Sequence, residues 1–241
     1  MFDFPTMYRD PTLIANWAVA FGTLVLAVVA IFQQWFQRLI VRPRLHLNAR
    51  VARPDAEKTR LRIQSLDMPE LGLSSRTVAE ASVYYFRFAI TNNGNAAAHD
   101  VQVYLGSVER LRADKKYEPV ERFTPMGFKW SHTGLTTRAI LLPKMPPILC
   151  DMAHISDPRA KIYTRDDLPG LPDDTPLLSL DLEVQANSKG YLLEPGTYRF
   201  RLTLGASDYS PQNYELEVVF QGKWHDDPDK MFSEGFGMRL L

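Results

Sequence analysis

Cys150, Asp151 and His154 are the one local grouping in the chain that sets a nucleophile beside a base. A thiol nucleophile needs a base within hydrogen-bond reach and a third group to orient that base. Those partners normally come from distant parts of a sequence. Three neighbours on a proline-bearing stretch therefore suit a buried, inert cysteine better than a catalytic one. The other histidines are His46, His99, His132 and His225, and none makes a His-x-x-x-His or His-Glu-x-x-His pair. No metal site is expected from them. A single cysteine excludes an intramolecular disulfide and any multi-cysteine metal centre. No Gly-x-Ser-x-Gly elbow and no glycine-rich phosphate loop is present. The expectation is a non-enzyme without a cofactor.

A second cluster is Trp224-His225-Asp226-Asp227-Pro228-Asp229. Three carboxylates this close could bind a divalent cation, but the Asp-x-Asp spacing with a bidentate Glu is missing. The plainer expectation is a capped turn, with Asp227 at the N-cap and Pro228 at the first helical position. Trp130 and Trp224 are read as core or sheet-end plugs, with an interaction role open for both and for Asp226 and Asp227.

The elements that must position these groups begin with a helix. From Pro11 to Gln37 no residue is ionisable, and Leu13 to Phe32 is apolar except for Asn16, Gly22 and Thr23. Twenty helical residues span about 30 Å, the hydrocarbon thickness of a bilayer. Asp10-Pro11 is a suitable helix start, and Pro43 a stop. Trp17 and Trp35 lie about 27 Å apart along such a helix, which suits two interfacial anchors. A signal peptide would need a positive n-region and a shorter apolar core, whereas residues 1–10 carry net −1. The predicted organisation is residues 1–10 as a short leading segment and 11–42 as a transmembrane helix with an interfacial extension. Ala18, Gly22 and Ala30 are small enough to allow close approach of a second helix.

Charge sets the expected orientation. The chain holds 28 basic and 28 acidic residues, which argues against a nucleic-acid partner. That balance hides a gradient. Residues 38–62 carry eight Arg or Lys, among them Arg38, Arg42 and Arg44, against Asp55 and Glu57. Residues 63–241 carry nineteen basic and twenty-four acidic residues. The positive-inside rule then puts the C-terminal part in the cytoplasm of a bacterial inner membrane. The basic collar either sets topology alone or also contacts anionic headgroups.

After Pro43 the apolar period changes to two. Runs at 45–51, 84–91, 101–105, 178–184, 198–204 and 216–220 alternate apolar with polar residues. Six such runs, with no amphipathic helix between them, predict two sheets packed face to face. The fold class expected is all-β, an immunoglobulin-like two-sheet β-sandwich over 44–225 preceded by one transmembrane α-helix. Two local sequences sharpen it. Asn92-Asn93-Gly94 suits a tight connection with positive φ angles. Pro195-Gly196-Thr197-Tyr198 suits a tyrosine corner, the hydroxyl bonding upstream backbone. Residues 52–80 and 106–176 read as long insertions, the first irregular, the second holding nine of the 17 prolines. Short strands are expected at 117–124 and 140–142, and loops at 143–147 and 166–176. Residues 226–241 are read as a tail or short helix.

The motif order is a membrane helix, Arg-Pro-Arg-Leu, then Asn92-x-Gly94-x-x-x-Ala98-x-x-Val101-x-Val103. Phe128-Lys129-Trp130, Asp151, Pro195-Gly196-x-Tyr198 and Gly222-Lys223-Trp224 follow, with Asp226, Asp227 and Met231 last. This order resembles uncharacterised bacterial proteins with an N-terminal membrane anchor and an Ig-like β-sandwich. The Asn-x-Gly and Pro-Gly-x-Tyr pieces also resemble bacterial adhesion-type Ig-like modules. Those modules are mostly extracellular, and the basic collar departs from them. The resemblance implies a fold and an anchor but no activity. The expected function is a membrane-anchored module that binds an unknown protein partner or assembles with itself. The alternative is a ligand-sensing membrane effector, as in bacterial defence, that oligomerises through its helix. A concave pocket of convergent polar groups in the 106–176 insertion would favour that alternative.

Overall fold

The computed structural model describes residues 11–40, 42–67, 74–133, 135–161, 171–172 and 174–241, with side chains for all of these except 34–40, 63–67, 74–79 and 139. Two compact units divide the chain, Met1–Arg42 and Pro43–Leu241. The first contains α1, Pro11–Ile40. Its stretch Pro11–Gln33 is long and apolar enough to cross a membrane, and none of it is buried. The Thr23 hydroxyl donates to the Val19 carbonyl at 2.8 Å, so this polar group in an apolar run is satisfied within its own helix.

The second unit is built from two seven-stranded sheets, and every strand pairing described is antiparallel. The first sheet runs in the order β1 (Leu45–Ala49), β3 (Ser74–Asn92), β9 (Ile148–Ser156), β10 (Leu178–Leu180) and β11 (Leu192–Leu193). Strand β2 (Ala56–Asp67) pairs with β3, and β7 (Lys129–Trp130) with β9. The second sheet runs β14 (Phe236–Leu240), β13 (Tyr209–Phe220), β12 (Gly196–Ala206), β4 (Ala98–Leu111) and β5 (Tyr117–Pro119). Strands β6 (Met126–Gly127) and β8 (Arg138–Leu141) also pair with β4. One core holds side chains from both sheets, and Phe86 of β3 stacks on Phe236 of β14 with centroids 3.8 Å apart. Alternation explains it. Tyr84, Phe86, Phe88 and Ile90 are all fully buried, as are Val101, Val103 and Leu105.

Several expectations need correction. The 52–80 stretch is not irregular. It forms a long antiparallel ribbon, β2 against β3, from Ala56 opposite Phe86 to Asp67 opposite Ser74. Thr59, Arg60 and Arg62 are exposed, so this part of β2 shows no apolar–polar alternation, although its partners Ala81 and Val83 are buried. Cys150 to His154 lie not on a loop but in β9, beside the central strand β3. The expected 178–184 strand ends at Leu180, with Leu182 bridging to Phe128 and Val184 57% exposed. Of the tail or short helix expected over 226–241, the helical turn is present, and a strand follows it. These residues form a helical turn (Pro228–Lys230), a π-helical turn (Met231–Gly235) and β14, and they bury Met231 and Phe236 in the core.

The short strand expected at 117–124 is Tyr117–Pro119, and that at 140–142 is Arg138–Leu141. Residues 143–147 form a loop, whereas much of 166–176 lies outside the described residues.

Candidate functional site

The end of the sandwich where β1 begins is organised by one side chain. Asn92 closes β3 and is 2% exposed. Its Oδ1 accepts from the Arg44 and Gly94 backbone N–H groups at 3.1 and 3.0 Å. Its Nδ2 donates to the Ala96 and Leu141 carbonyls at 2.7 and 3.0 Å. This is an Asx turn extended to two further strands. The positive-φ glycine among those described is Gly222, so Gly94 does not make the tight turn expected of it. Asn92 performs that task with its amide.

The opposite end carries the charged groups. Asp226 accepts from the Trp224 indole at 3.1 Å and from Arg159 at 3.1 and 3.0 Å. The Lys58 ammonium donates to the Asp226 carbonyl at 2.7 Å and lies 5.6 Å from both the Tyr84 and Trp224 ring centroids. Arg159 also grips Asp157 at 2.7 Å from the other side. The indole and the guanidinium hold the Asp226 carboxyl below its ordinary range, and Arg159 does the same for Asp157. The Tyr84 hydroxyl donates to the His225 carbonyl at 2.9 Å. Burial, reinforced by the Asp226 and Asp227 charges, pushes its pKa up to about 12. Asp227 accepts from the Asp229 N–H at 3.1 Å and caps the turn with Pro228 at its start, as expected.

Where β4 ends and β12 begins lies a cleft of about 550 Å³. Arg110, Arg112, Arg122 and Lys189 line it with Glu118, Glu121 and Glu194. Arg110 pairs with Glu194 at 3.1 Å, and Arg112 pairs with Glu118. A close approach builds one wall. A Cβ on Gly190 would come within 2.0 Å of the Arg122 carbonyl oxygen, so only glycine lets the two loops touch. Tyr198 also lines it, and its hydroxyl donates to the Glu194 carbonyl at 2.7 Å. Burial raises that phenol to about 12, with Arg110 opposing. Gly196 leaves room for the Tyr198 ring and the Arg110 guanidinium. Pro195 packs on Gly222, whose φ is +66°.

The Cys150, Asp151 and His154 grouping does not assemble. Registers across β3 show a bulge: Phe88 faces Cys150 and Arg87 faces Asp151, but Phe86 faces Ala153, so Met152 is the extra residue. The bulge inverts the pleat. Cys150 joins the interior face beside Phe88 and Trp130, whereas His154 lies on the outer face opposite Tyr85. Burial, then the Asp151 and Asp181 charges, push the thiol pKa well up, so it is protonated and enclosed. On the outer face Asp151 accepts from Arg87 at 2.9 Å and Ser131 at 2.6 Å, while His154 Nδ1 meets Asp181 at 3.0 Å. These pairs brace β3, β9 and the 181 loop.

Trp130 is 1% exposed and belongs to the core, so it presents no interaction surface. Trp17 is 62% exposed on α1, and Arg42 and Arg44 are exposed. The side chains of Trp35 and Arg38 lie outside the described residues. Among the described residues no group of three or more His, Cys, Asp or Glu is placed to hold a metal ion. Lys58, Tyr84 and Arg159 were not legible as partners of Asp226, being 67 to 168 residues away along the chain. Arg110, Arg112 and Lys189 carried no signal either, since exposed basic residues on hairpins are ordinary.

Compared with protein-family models, with curated proteins and with solved structures, the chain matches none of them. The functional reading rests on the geometry above.

Proposed function

We propose that the chain is a single-pass membrane-anchored, non-catalytic binding module with an immunoglobulin-like sandwich. The helix tethers it, on this reading, to a bacterial inner membrane with the sandwich in the cytoplasm, and the far end of the sandwich meets a protein partner. One contrast supports this most. An apolar helix that buries none of its span is followed by a sandwich whose charged, concave surface lies at the end opposite the start of β1. The Tyr198 bond to Glu194 supports the immunoglobulin-like assignment, because it has the form of a tyrosine corner. The net +6 of residues 38–62 supports the orientation. The enclosed thiol, on the opposite face from His154, supports a role without thiol chemistry.

The test is a mild-detergent pulldown of the full-length chain with mass determination, run beside an Arg112→Glu/Lys189→Glu variant. The expected result is a stoichiometric protein partner that the variant loses. A partner retained by the variant would remove the far end from the reading.

The cleft itself favours a second reading. Its volume falls in the small-ligand range, and it draws on residues 110–122 of the insertion. A ligand-sensing effector that oligomerises through α1 would place a small charged molecule there. Native mass spectrometry of a homo-oligomer with a bound small molecule, and without a protein partner, would establish it.

A further inference from the structure

The end of β8 and the loop that follows it present apolar side chains to solvent beside the start of β1. Ile140 is 47% exposed, Leu142 51% and Met145 53%. Most exposed apolar residues are single and need no explanation, but these three fall within six positions. The loop is held firmly. The Lys144 N–H donates to the Asn92 carbonyl at 2.9 Å, and the Asn92 amide holds the Leu141 carbonyl. Lys144 sits in the left-handed region, φ +58°, where a non-glycine residue persists only under such constraint. The same Asn92 accepts from the Arg44 N–H, and the Asn93 N–H donates to the Arg44 carbonyl at 2.8 Å. Arg44 and the apolar loop therefore share one rigid end of the sandwich.

Chain length says what that end can meet. Arg44 follows the last helical residue, Ile40, by four positions, which is at most about 14 Å of extended chain. Among the described residues at this end, Asp100 accepts from the Ser207 hydroxyl and Asp208 from the His99 N–H, and neither is paired with Arg44 or Lys144 in the bonds described. Exposed Arg44 and Lys144 beside exposed leucine and methionine fit a layer that is anionic outside and apolar beneath. We propose that the 140–145 loop docks into the headgroup layer of an anionic bilayer, Leu142 and Met145 entering the interface and Lys144 meeting lipid phosphate. The proposal rests on the reading of α1 as a membrane span, and it adds a second, peripheral contact to that anchor.

The test uses the full-length chain in phosphatidylcholine vesicles, with and without phosphatidylglycerol. An environment-sensitive fluorophore is attached in turn at Met145→Cys, Leu24→Cys and Asp229→Cys, Cys150 being buried. Doxyl lipids then report depth. The expected result is deep quenching at Leu24→Cys and headgroup-level quenching at Met145→Cys. The latter should exceed that at Asp229→Cys by at least about twofold, rise with phosphatidylglycerol, and lose that rise in a Lys144→Glu background. If Met145→Cys is quenched no more than Asp229→Cys while Leu24→Cys is quenched deeply, the docking is overturned and the span stands. If Leu24→Cys is not quenched, the span reading fails and the docking with it. A Met145→Cys probe that is shielded from water yet untouched by lipid quenchers marks a second copy or another protein as the occupant, which also overturns the proposal.

Discussion

The two ends of the sandwich are secured by different physics. At the end where β1 begins, one buried neutral amide makes four bonds to backbone. At the far end, exposed carboxylates and cations hold one another: Asp226 is 63% and Arg159 67% exposed. A buried uncharged network responds little to salt or pH, and breaking it strands backbone groups away from water. Exposed ion pairs are individually weak, are screened within about 10 Å at ordinary salt, and yield to a competing charge. That contrast fits the proposed module, fixed at one end of the sandwich and adjustable at the other.

The largest expected effect tests the rigid end. Asn92→Ala should cost about 3 kcal/mol, since four partners lose their bond. The melting temperature of the full-length chain in detergent should fall by about 8 °C. A change under about 1 °C would erase the contrast between the ends.

Tyr198→Phe comes next, at about 1–2 kcal/mol, because its hydroxyl serves a single carbonyl. It also carries a pH signature. The folded phenol titrates near 12, above its ordinary 10, so the fold favours the neutral form. That stability is fully present below pH 10 and drains as pH rises toward about 12. Urea midpoints taken across this range should fall less steeply in Tyr198→Phe than in the parent chain.

The smallest effects belong to the charged node. Asp226→Asn should speed amide exchange at the 228–235 turns while leaving the global melt nearly unchanged. For the parent chain the sign runs the other way from tyrosine. The Asp157 and Asp226 carboxyls are depressed, so their contribution holds above about pH 4 and is lost as pH falls through the lower folded values. Protection of the Met231 amide, its exchange divided by the intrinsic rate at each pH, should stay flat below pH 6 and then fall toward pH 2. Arg159→Ala should mimic the acid state at neutral pH, and added salt should do so partially. An Arg159→Ala chain with parental exchange at Met231 would show that the node does not secure this end.

Much of the fold was legible because a buried sheet face writes alternation into the chain: five of the six alternating runs fall largely on strands, and the sixth, 178–184, begins as one. What escaped did so for identifiable reasons. Strand β9 was hidden by its bulge at Met152, which breaks the period, and by an outer face that is also covered, leaving His154 4% exposed. The β2–β3 ribbon was hidden for the opposite reason, having polar residues exposed on both faces. Strand β14 did carry its signal, since Phe236, Met238 and Leu240 alternate with Gly237 and Arg239, but five residues after a capped turn read as an appendage. At the turn after β3 the residue types were right and the mechanism was not: Asn92 acts through its amide, not through a backbone φ at Gly94. Of the charged node, Trp224, Asp226 and Asp227 were legible as a cluster. Their partners Lys58, Tyr84 and Arg159 were not, because tertiary pairing across two sheets leaves no local spacing.

The bulge at Met152 has one more consequence. By turning the chain's single cysteine inward, it supplies a chemical clock. A thiol reagent outside the protein can reach Cys150 only in molecules whose sheets have come apart. When closing is faster than reaction, the labelling rate is the free-thiol rate multiplied by the fraction of time spent open. The opening free energy of the sandwich can therefore be read from an unmodified full-length chain by how slowly one sulfur reacts.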